Sequence, residues 1–403
     1  MSSRVQLQSI VRAMPQLERR PMTPLPEGVR PLRVGFVVHV MQVAGAEVLT
    51  REIIQRLEGR IVPTIFCLDA VGQIGQDLRD GGVDVVCFGR KPGHDWGVAR
   101  RMARATRERK LDIVHAHQYT PFFYAALAKL LHPQPRLVLT EHGRHYPDVV
   151  IPVRRALNRL LFDRLANAVT ACSEFSARGL KRSDGFAGAR IEVIDNGIEV
   201  ESYGPARNLA VSKRRLGLDP DRSYVIHVAR HHPVKDQATL LRGFAIASSN
   251  LPNVDLLMVG DGPLRLDLER LAIDLGIPDR VKFLGIRSDI PELMQVSDAF
   301  ALTSLSEAAS LTLMEAMATG IPSVLTNVGG NPEIVRHERE ALLFPRSDAS
   351  AFASALRRLF QEPGLAQKLG AAGRVRARER YRLEDTVEQY YGLYCQLTGR
   401  TAD

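Results

Sequence analysis

A chain of 403 residues with 45% apolar and 25% charged side chains can bury proper cores, and its length suggests roughly two to three domains. It has no run of 18 apolar residues and no N-terminal apolar core with a cleavage site, so neither a membrane span nor a secretory signal is expected and a cytoplasmic location is. The net charge of +9 favours anionic partners, while scattered cysteines (Cys67, Cys87, Cys172, Cys395) without a C-x2-C spacing argue against disulfides and structural zinc and read as buried thiols.

Residues 1–30 hold several Pro, Gly and Arg with weak periodicity and predict a flexible basic arm, with a membrane-touching amphipathic helix as the alternative. From residue 32 short β-branched runs alternate with helical periodicity. Strands are expected at 32–39, 62–68, 83–88, 113–116, 137–140, 168–171 and 191–194. Helices are expected at 46–57, 74–80, 98–108, near 122–131, and in a basic stretch at 153–165. Continuous apolar strands separated by helices indicate a parallel sheet covered on both faces. The polar stretch up to residue 222 reads as a connection between domains. A second alternating set follows, with strands at 224–229, 254–259, 281–283, 298–303, 321–326 and 341–344 and helices between and after them. The fold class is therefore α/β, two doubly wound domains in tandem.

Basic residues cluster in the first half. Residues 90–110 carry eight basic against two acidic side chains, and 154–190 carry eight against three. Such runs are ordinarily solvated faces, but two in one half suit acidic lipid headgroups or a lipid-phosphate substrate. Nucleic acid is not expected, because aromatic residues make up 6% and no interleaved motif is present.

In open α/β sheets ligands bind beyond the carboxyl ends of the strands. There the first domain offers a loop with Gly45 before a helix, the His115/His117 pair, and Glu141, His142 and Arg144. The two imidazoles fall on one side of an extended strand, yet no further ligand follows at metal spacing. The second domain offers Arg230 and Lys235, five apart and able to clamp two phosphates, and Gly260 and Gly262, which would let a ligand's flat ring approach the backbone. It also has Glu307 and Glu315. On one helix these acids would lie about 12 Å and roughly 80° apart, so Glu307 is expected in the loop and Glu315 on the helix, with free amides at 308–310 between them as an anion site. Taken singly each feature is an ordinary turn, ion pair or solvated acid. Together they suit a nucleoside diphosphate held across an interdomain cleft.

Val228-Ala-Arg230-(x4)-Lys235, Val259-Gly-Asp-Gly-Pro263, Phe283-Leu-Gly285, and Glu307-(x7)-Glu315 followed by Gly320, Pro322 and Gly329-Gly-Asn-Pro-Glu333 resemble family 4 of the retaining glycosyltransferases. The similarity is looser in the first half, carried by Ala44-Gly-Ala-Glu47, His117, Thr140-Glu-His142, Ser173-Glu174 and Asn196-Gly197. The resemblance implies the GT-B fold, two Rossmann-like domains facing a cleft. It divides the chain into 1–30, an acceptor-side domain 31–200, a nucleotide-sugar domain 201–380, and a last helix at 381–403 that crosses back onto the first domain. Arg230 and Lys235 would hold the donor diphosphate, Glu315 the ribose, Glu307 the sugar hydroxyls, and the amides of Ala309, Ser310 and Leu311 the distal phosphate. Gly45 would approach the diphosphate and His117 the sugar. Gly285, Ile286 and Arg287 would line the base beside Gly260 and Gly262, and Glu141, His142 and Arg144 would face the acceptor. No metal or other cofactor is implied. The expected partners are a nucleoside-diphosphate sugar, by family habit UDP-linked, and a glycan or lipid-linked acceptor of exopolysaccharide or lipopolysaccharide type, with peripheral contact to an anionic membrane. The rivals are a GT-B-like sugar-nucleotide epimerase and a non-catalytic sugar-nucleotide-binding scaffold. Two departures, Ala44 for Gly and Ala308 for Gly, narrow the space near the phosphates.

Overall fold

The computed structural model describes residues 29–42, 45–143, 149–186, 191–204 and 208–401. Residues 1–28 of the arm expected at 1–30, together with Ala44 and Arg144, lie outside the described residues. Two compact units result among the described residues: Ile198–Leu383, and residues 29–197 together with the return from 384 onward.

The first unit has seven strands: β1 (Leu32–Val40), β2 (Ile61–Ala70), β3 (Asp84–Cys87), β4 (Ile113–His117), β5 (Arg136–Glu141), β6 (Ala168–Ala171) and β7 (Ile191–Val193). They form one sheet in the order β3-β2-β1-β4-β5-β6-β7, with every pair parallel. In the second unit β8 (Ser223–Val228), β9 (Val254–Val259), β10 (Val281–Gly285), β11 (Ala299–Leu302), β12 (Ser323–Thr326) and β13 (Leu342–Phe344) are ordered β10-β9-β8-β11-β12-β13, again all parallel. Every residue of β4 and of β9 is buried, as expected for strands with helices on both faces. The strand order reverses between β1 and β4 and between β8 and β11, which opens a crevice at each carboxyl edge.

Three expectations need correction. The basic helix expected at 153–165 is interrupted: Pro152–Leu157 runs into a widened turn, Asn158–Phe162, before Asp163–Leu165. The buried Asn158 amide is satisfied there, accepting from the Tyr119 hydroxyl at 2.8 Å and donating to the Asp184 carbonyl at 2.7 Å. The expected polar connection contains a helix, Leu209–Arg215, which lacks apolar periodicity but is capped by Asn208 accepting from the Val211 amide at 3.2 Å. Finally, Cys87 is exposed, because β3 is the sheet edge; Cys67, Cys172 and Cys395 are buried, and all four thiols are free.

The helix Leu383–Thr398 completes the first unit. Glu384 meets Arg56 at 3.0 Å, Glu388 meets Arg60 at 2.6 Å, and the Arg60 guanidinium lies 3.7 Å from the Tyr391 ring centre. The crossing-back implied by the resemblance is therefore present. No helix among the described residues is long and apolar enough to cross a membrane.

Candidate active site

In the second unit the groups expected to carry chemistry gather at the ends of β8 and β11. The loop after β8 is tied to the loop after β11 by backbone: Leu305 N–H donates to the Val234 carbonyl at 2.8 Å, and the Thr303 hydroxyl reaches the Lys235 and Asp236 carbonyls at 3.1 and 2.9 Å. Asp236 takes a left-handed φ of 45° and caps the helix Gln237–Ser248. These constraints fix the direction in which Lys235 leaves the backbone.

Its Nζ lies 2.5 Å from Glu307 Oε1, which also accepts from Ser304 Oγ at 2.6 Å. Glu307 is 9% exposed. Gly329 explains how the acid is held. An added Cβ there would sit 1.9 Å from the Glu307 carbonyl oxygen and φ is +56°, so only glycine fits while the Gly330 amide donates to that carbonyl at 2.9 Å. The Gly329-Gly330 motif thus builds the seat of Glu307.

Beyond Glu307 the helix Leu311–Thr319 begins, with Ser310 Oγ accepting from the Leu313 amide at 3.3 Å. The amides of Ala309, Ser310 and Leu311 donate no hydrogen bond among the described residues. With the positive end of the helix behind them they form an anion seat. Glu315 lies one turn further on, partly buried, and burial raises its carboxyl to about 7, with the Tyr203 side chain acting in the opposite direction. The loop-plus-helix arrangement expected for the two acids is what the structure has. Arg230 is exposed beside this cluster in sequence, and its carbonyl accepts from Gln237 at 2.9 Å.

The glycine loops also pack tightly against neighbouring backbone. A Cβ on Gly260 would meet the Ala229 carbonyl oxygen at 2.1 Å, and one on Gly262 would meet that of His231 at 2.4 Å. On the Cβ side of both glycines the close neighbour is therefore backbone of the loop after β8. His231 N–H donates to the Asp261 carbonyl at 2.9 Å and Gly260 N–H to that of Gly285 at 2.8 Å, so three strand-end loops are laced together. Arg287, expected to line the base, is paired with Asp289 (Nε to Oδ1, 2.7 Å), while Ile286 is exposed. Sequence reasoning passed over His231, which is fully buried with neither ring nitrogen bonded among the described residues. Nothing in its local pattern marks it.

The first unit presents neutral groups. His117 Nδ1 lies 2.7 Å from His142 Nε2, and its Nε2 lies 3.4 Å from the Thr50 hydroxyl. His115 sits between the Tyr394 hydroxyl (2.7 Å) and Thr140 Oγ1 (2.6 Å). Burial pushes His115 down to about 3 and His142 to about 4, and burial plus the neighbouring imidazoles holds His117 well below its usual range. Three uncharged imidazoles result. Glu141 is buried and accepts from the Gly143 amide at 3.2 Å, which makes it a turn-former as well as a strand end. Gly45 is exposed at the first position of the helix Gly45–Arg56. Among the described residues no group of three or more His, Cys, Asp or Glu could hold a metal ion.

Two parallel sheets with a cation, a seated carboxylate and an open helix end at one carboxyl edge define the architecture of a GT-B glycosyltransferase. Residues 210–376 match the family described as Glycosyl transferases group 1, and residues 43–202 match Glycosyltransferase Family 4. The chain is 30% identical over 310 residues to an N-acetyl-alpha-D-glucosaminyl L-malate synthase from Bacillus anthracis, covering 75% of this chain and 79% of that one. It is 29% identical over 268 residues to an Escherichia coli UDP-Gal:alpha-D-GlcNAc-diphosphoundecaprenol alpha-1,3-galactosyltransferase, covering 63% and 67%. In fold it resembles Anabaena HepE, solved with UDP and glucose, at a TM-score of 0.78 and 23% identity over 90% of this chain and 99% of that one. The protein belongs to the family 4, group 1 glycosyltransferases.

Proposed function

We propose that the protein transfers a hexosyl group from a UDP-sugar, with retention of anomeric configuration, to a lipid-linked saccharide in cell-surface or exopolysaccharide synthesis. The observation that carries the reading is the Lys235–Glu307 pair beside the open amides of Ala309 to Leu311. In the proposal the donor diphosphate takes those amides, Arg230 and Lys235, whose Nζ turns from Glu307 to a phosphate oxygen. Glu307 Oε1 is then free to accept a hydroxyl of the donor sugar, and Glu315 accepts from the ribose. Gly285 and Ile286 stay beside the base. Gly45, His117, Glu141 and His142 keep their proposed roles toward sugar and acceptor.

The bond from the anomeric carbon to the phosphate oxygen breaks, and the acceptor oxygen bonds to the same face of that carbon. The acceptor's proton passes to the departing phosphate, which the cations stabilise as charge develops. With the cations supplied by side chains, no metal ion is required. The UDP-linked donor and lipid-linked acceptor draw support from the Escherichia coli relative. Stabilisation against a panel of nucleotide sugars tests the donor, since the shift grows with ligand occupancy. UDP-sugars should raise the melting temperature well above the effect of GDP- or ADP-sugars. A product with inverted anomeric configuration would overturn the stereochemical part.

A further inference from the structure

The chain's one tryptophan stands apart from the groups described so far. Trp96 is 61% exposed at the start of the helix Trp96–Glu108, and between residues 63 and 129 no other large apolar side chain is exposed. The ring is nevertheless held in place. It stacks on the exposed ring of His94, with centres 5.9 Å and planes 19° apart, and lies 6.3 Å from the half-buried ring of Phe123, itself 6.0 Å from His94. Asp95 fixes the bend between the two outer rings. Its carboxylate accepts from the Gly97 amide at 3.0 Å and the Lys91 amide at 3.3 Å, and its own amide donates to the Tyr124 hydroxyl at 3.1 Å.

Polar groups stand beside this platform. The bond from Lys91 to Asp95 folds the loop back on itself, so Arg90 and Trp96 flank one closed turn. Arg90 holds Asp69, Nε to Oδ1 at 2.7 Å and Nη2 to Oδ2 at 3.2 Å, and His39 Nδ1 lies 3.2 Å from the same Oδ2. His39 is on β1, Asp69 on β2, and Arg90 follows β3, so the three make a row along the carboxyl edge of adjacent strands. The Asp69 and His39 side chains are each 33% exposed. A carboxylate has about four acceptor positions, and these contacts leave capacity on Oδ1. The row and the platform draw on both borders of the crevice, since β1 carries His39 and the helix Tyr119–Leu131, which carries Phe123, follows β4.

A flat aromatic ring beside planar, ion-paired side chains is the chemistry that recognises a pyranose. One face of such a sugar is made of C–H bonds and packs on an aromatic surface, while its rim of hydroxyls donates to a carboxylate and accepts from a guanidinium or imidazole. A bilayer or a protein partner would instead meet a contiguous apolar patch, which this lone ring is not. We infer that Trp96, supported by His94 and Phe123, forms with Asp69, Arg90 and His39 a subsite for a sugar ring of the acceptor and selects which saccharide is glycosylated. The inference rests on the reading of a saccharide acceptor and deepens it.

Because Trp96 is the only tryptophan, its emission reads the subsite directly. The full-length protein, saturated with UDP, is titrated with the methyl pyranosides of glucose, galactose, mannose and N-acetylglucosamine in both anomeric forms, and with glycerol as a control. A saturable change in emission at millimolar concentration is expected for at least one glycoside and none for glycerol. Asp69→Asn should weaken that glycoside about tenfold. In saturation-transfer NMR, transfer to the ring protons of the glycoside should disappear in Trp96→Ala and return in Trp96→Phe. Thermal stabilisation by UDP should be retained in all of these variants, which shows that each is folded and tests the donor reading separately. Whatever UDP does, the inference is overturned if no glycoside changes the emission, if glycerol changes it equally, or if Trp96→Ala receives transfer like wild type. It is equally overturned if emission responds only to phosphatidylglycerol vesicles, or if the wild type is a dimer that Trp96→Ala splits, for then the ring faces a bilayer or a second copy.

Discussion

At the carboxyl edge of β4 and β5 three uncharged imidazoles lie together, two buried and one half-buried, whereas at the ends of β8 and β11 an ammonium and a carboxylate meet at 2.5 Å beside unbonded amides. The two sheets share one strand order, 3-2-1-4-5-6 in sequence-relative terms, with one further strand in the first. Topology therefore offers the crevice twice and does not decide which one handles charge. That depends on a few side chains. The first unit spends its polar strand ends on mutual hydrogen bonds within a fully buried strand, while the second keeps Lys235 about a quarter exposed and Arg230 outside.

The contrast breaks most sharply at Lys235. Lys235→Ala should lower sugar transfer by about 10²–10³ and also destabilise the fold by about 3–5 kcal/mol, because Glu307 is left buried without its cation. Combining it with Glu307→Gln should recover the melting temperature without recovering the rate, which separates pairing from chemistry. Arg230→Ala, by comparison, should slow transfer by about 10² with an unchanged melting temperature.

Next in size is the pH response set by Glu315, whose carboxyl rises from an ordinary 4.5 to about 7. Below the lower value both folded and unfolded chains hold the proton. Between the two, the unfolded chain releases it and the folded chain does not. Stability should therefore fall as pH rises through this window, by about 3 kcal/mol at most, and level off above it. Denaturant titrations across pH should show this fall in wild type and lose it in Glu315→Gln.

The smallest effect tests the neutral side of the comparison. Tyr394→Phe removes the partner of His115 Nδ1 in a fully buried site and should cost about 1–3 kcal/mol in urea unfolding. A cost near zero would show that the imidazole finds another donor or acceptor.

Much of this was legible from local pattern. Alternating β-branched runs and helical periods report the two parallel sheets because both faces of each strand are covered, and the spacing of Glu307 and Glu315 already separates loop acid from helix acid. The Lys235–Glu307 contact was not legible, since the residues are 72 positions apart and their meeting depends on the pairing of β8 with β11. The backbone packing around Gly260 and Gly262 was not legible for a related reason. A glycine reports that something comes close, and sequence cannot tell a ligand from a neighbouring carbonyl. Asn158 and His231 were missed because a buried polar residue carries no local signal of where its partners stand.

The helix Leu383–Thr398 has a consequence for biogenesis. It contributes Tyr394 to His115 and two acids to Arg56 and Arg60, yet it is synthesised only after the entire second unit. A nascent chain that has emerged through β7 therefore carries all seven strands of the first sheet but not the helix that packs on them, and waits through nearly two hundred further residues for it. A chain that ended at residue 383 would hold the whole second unit and a first unit without its last helix.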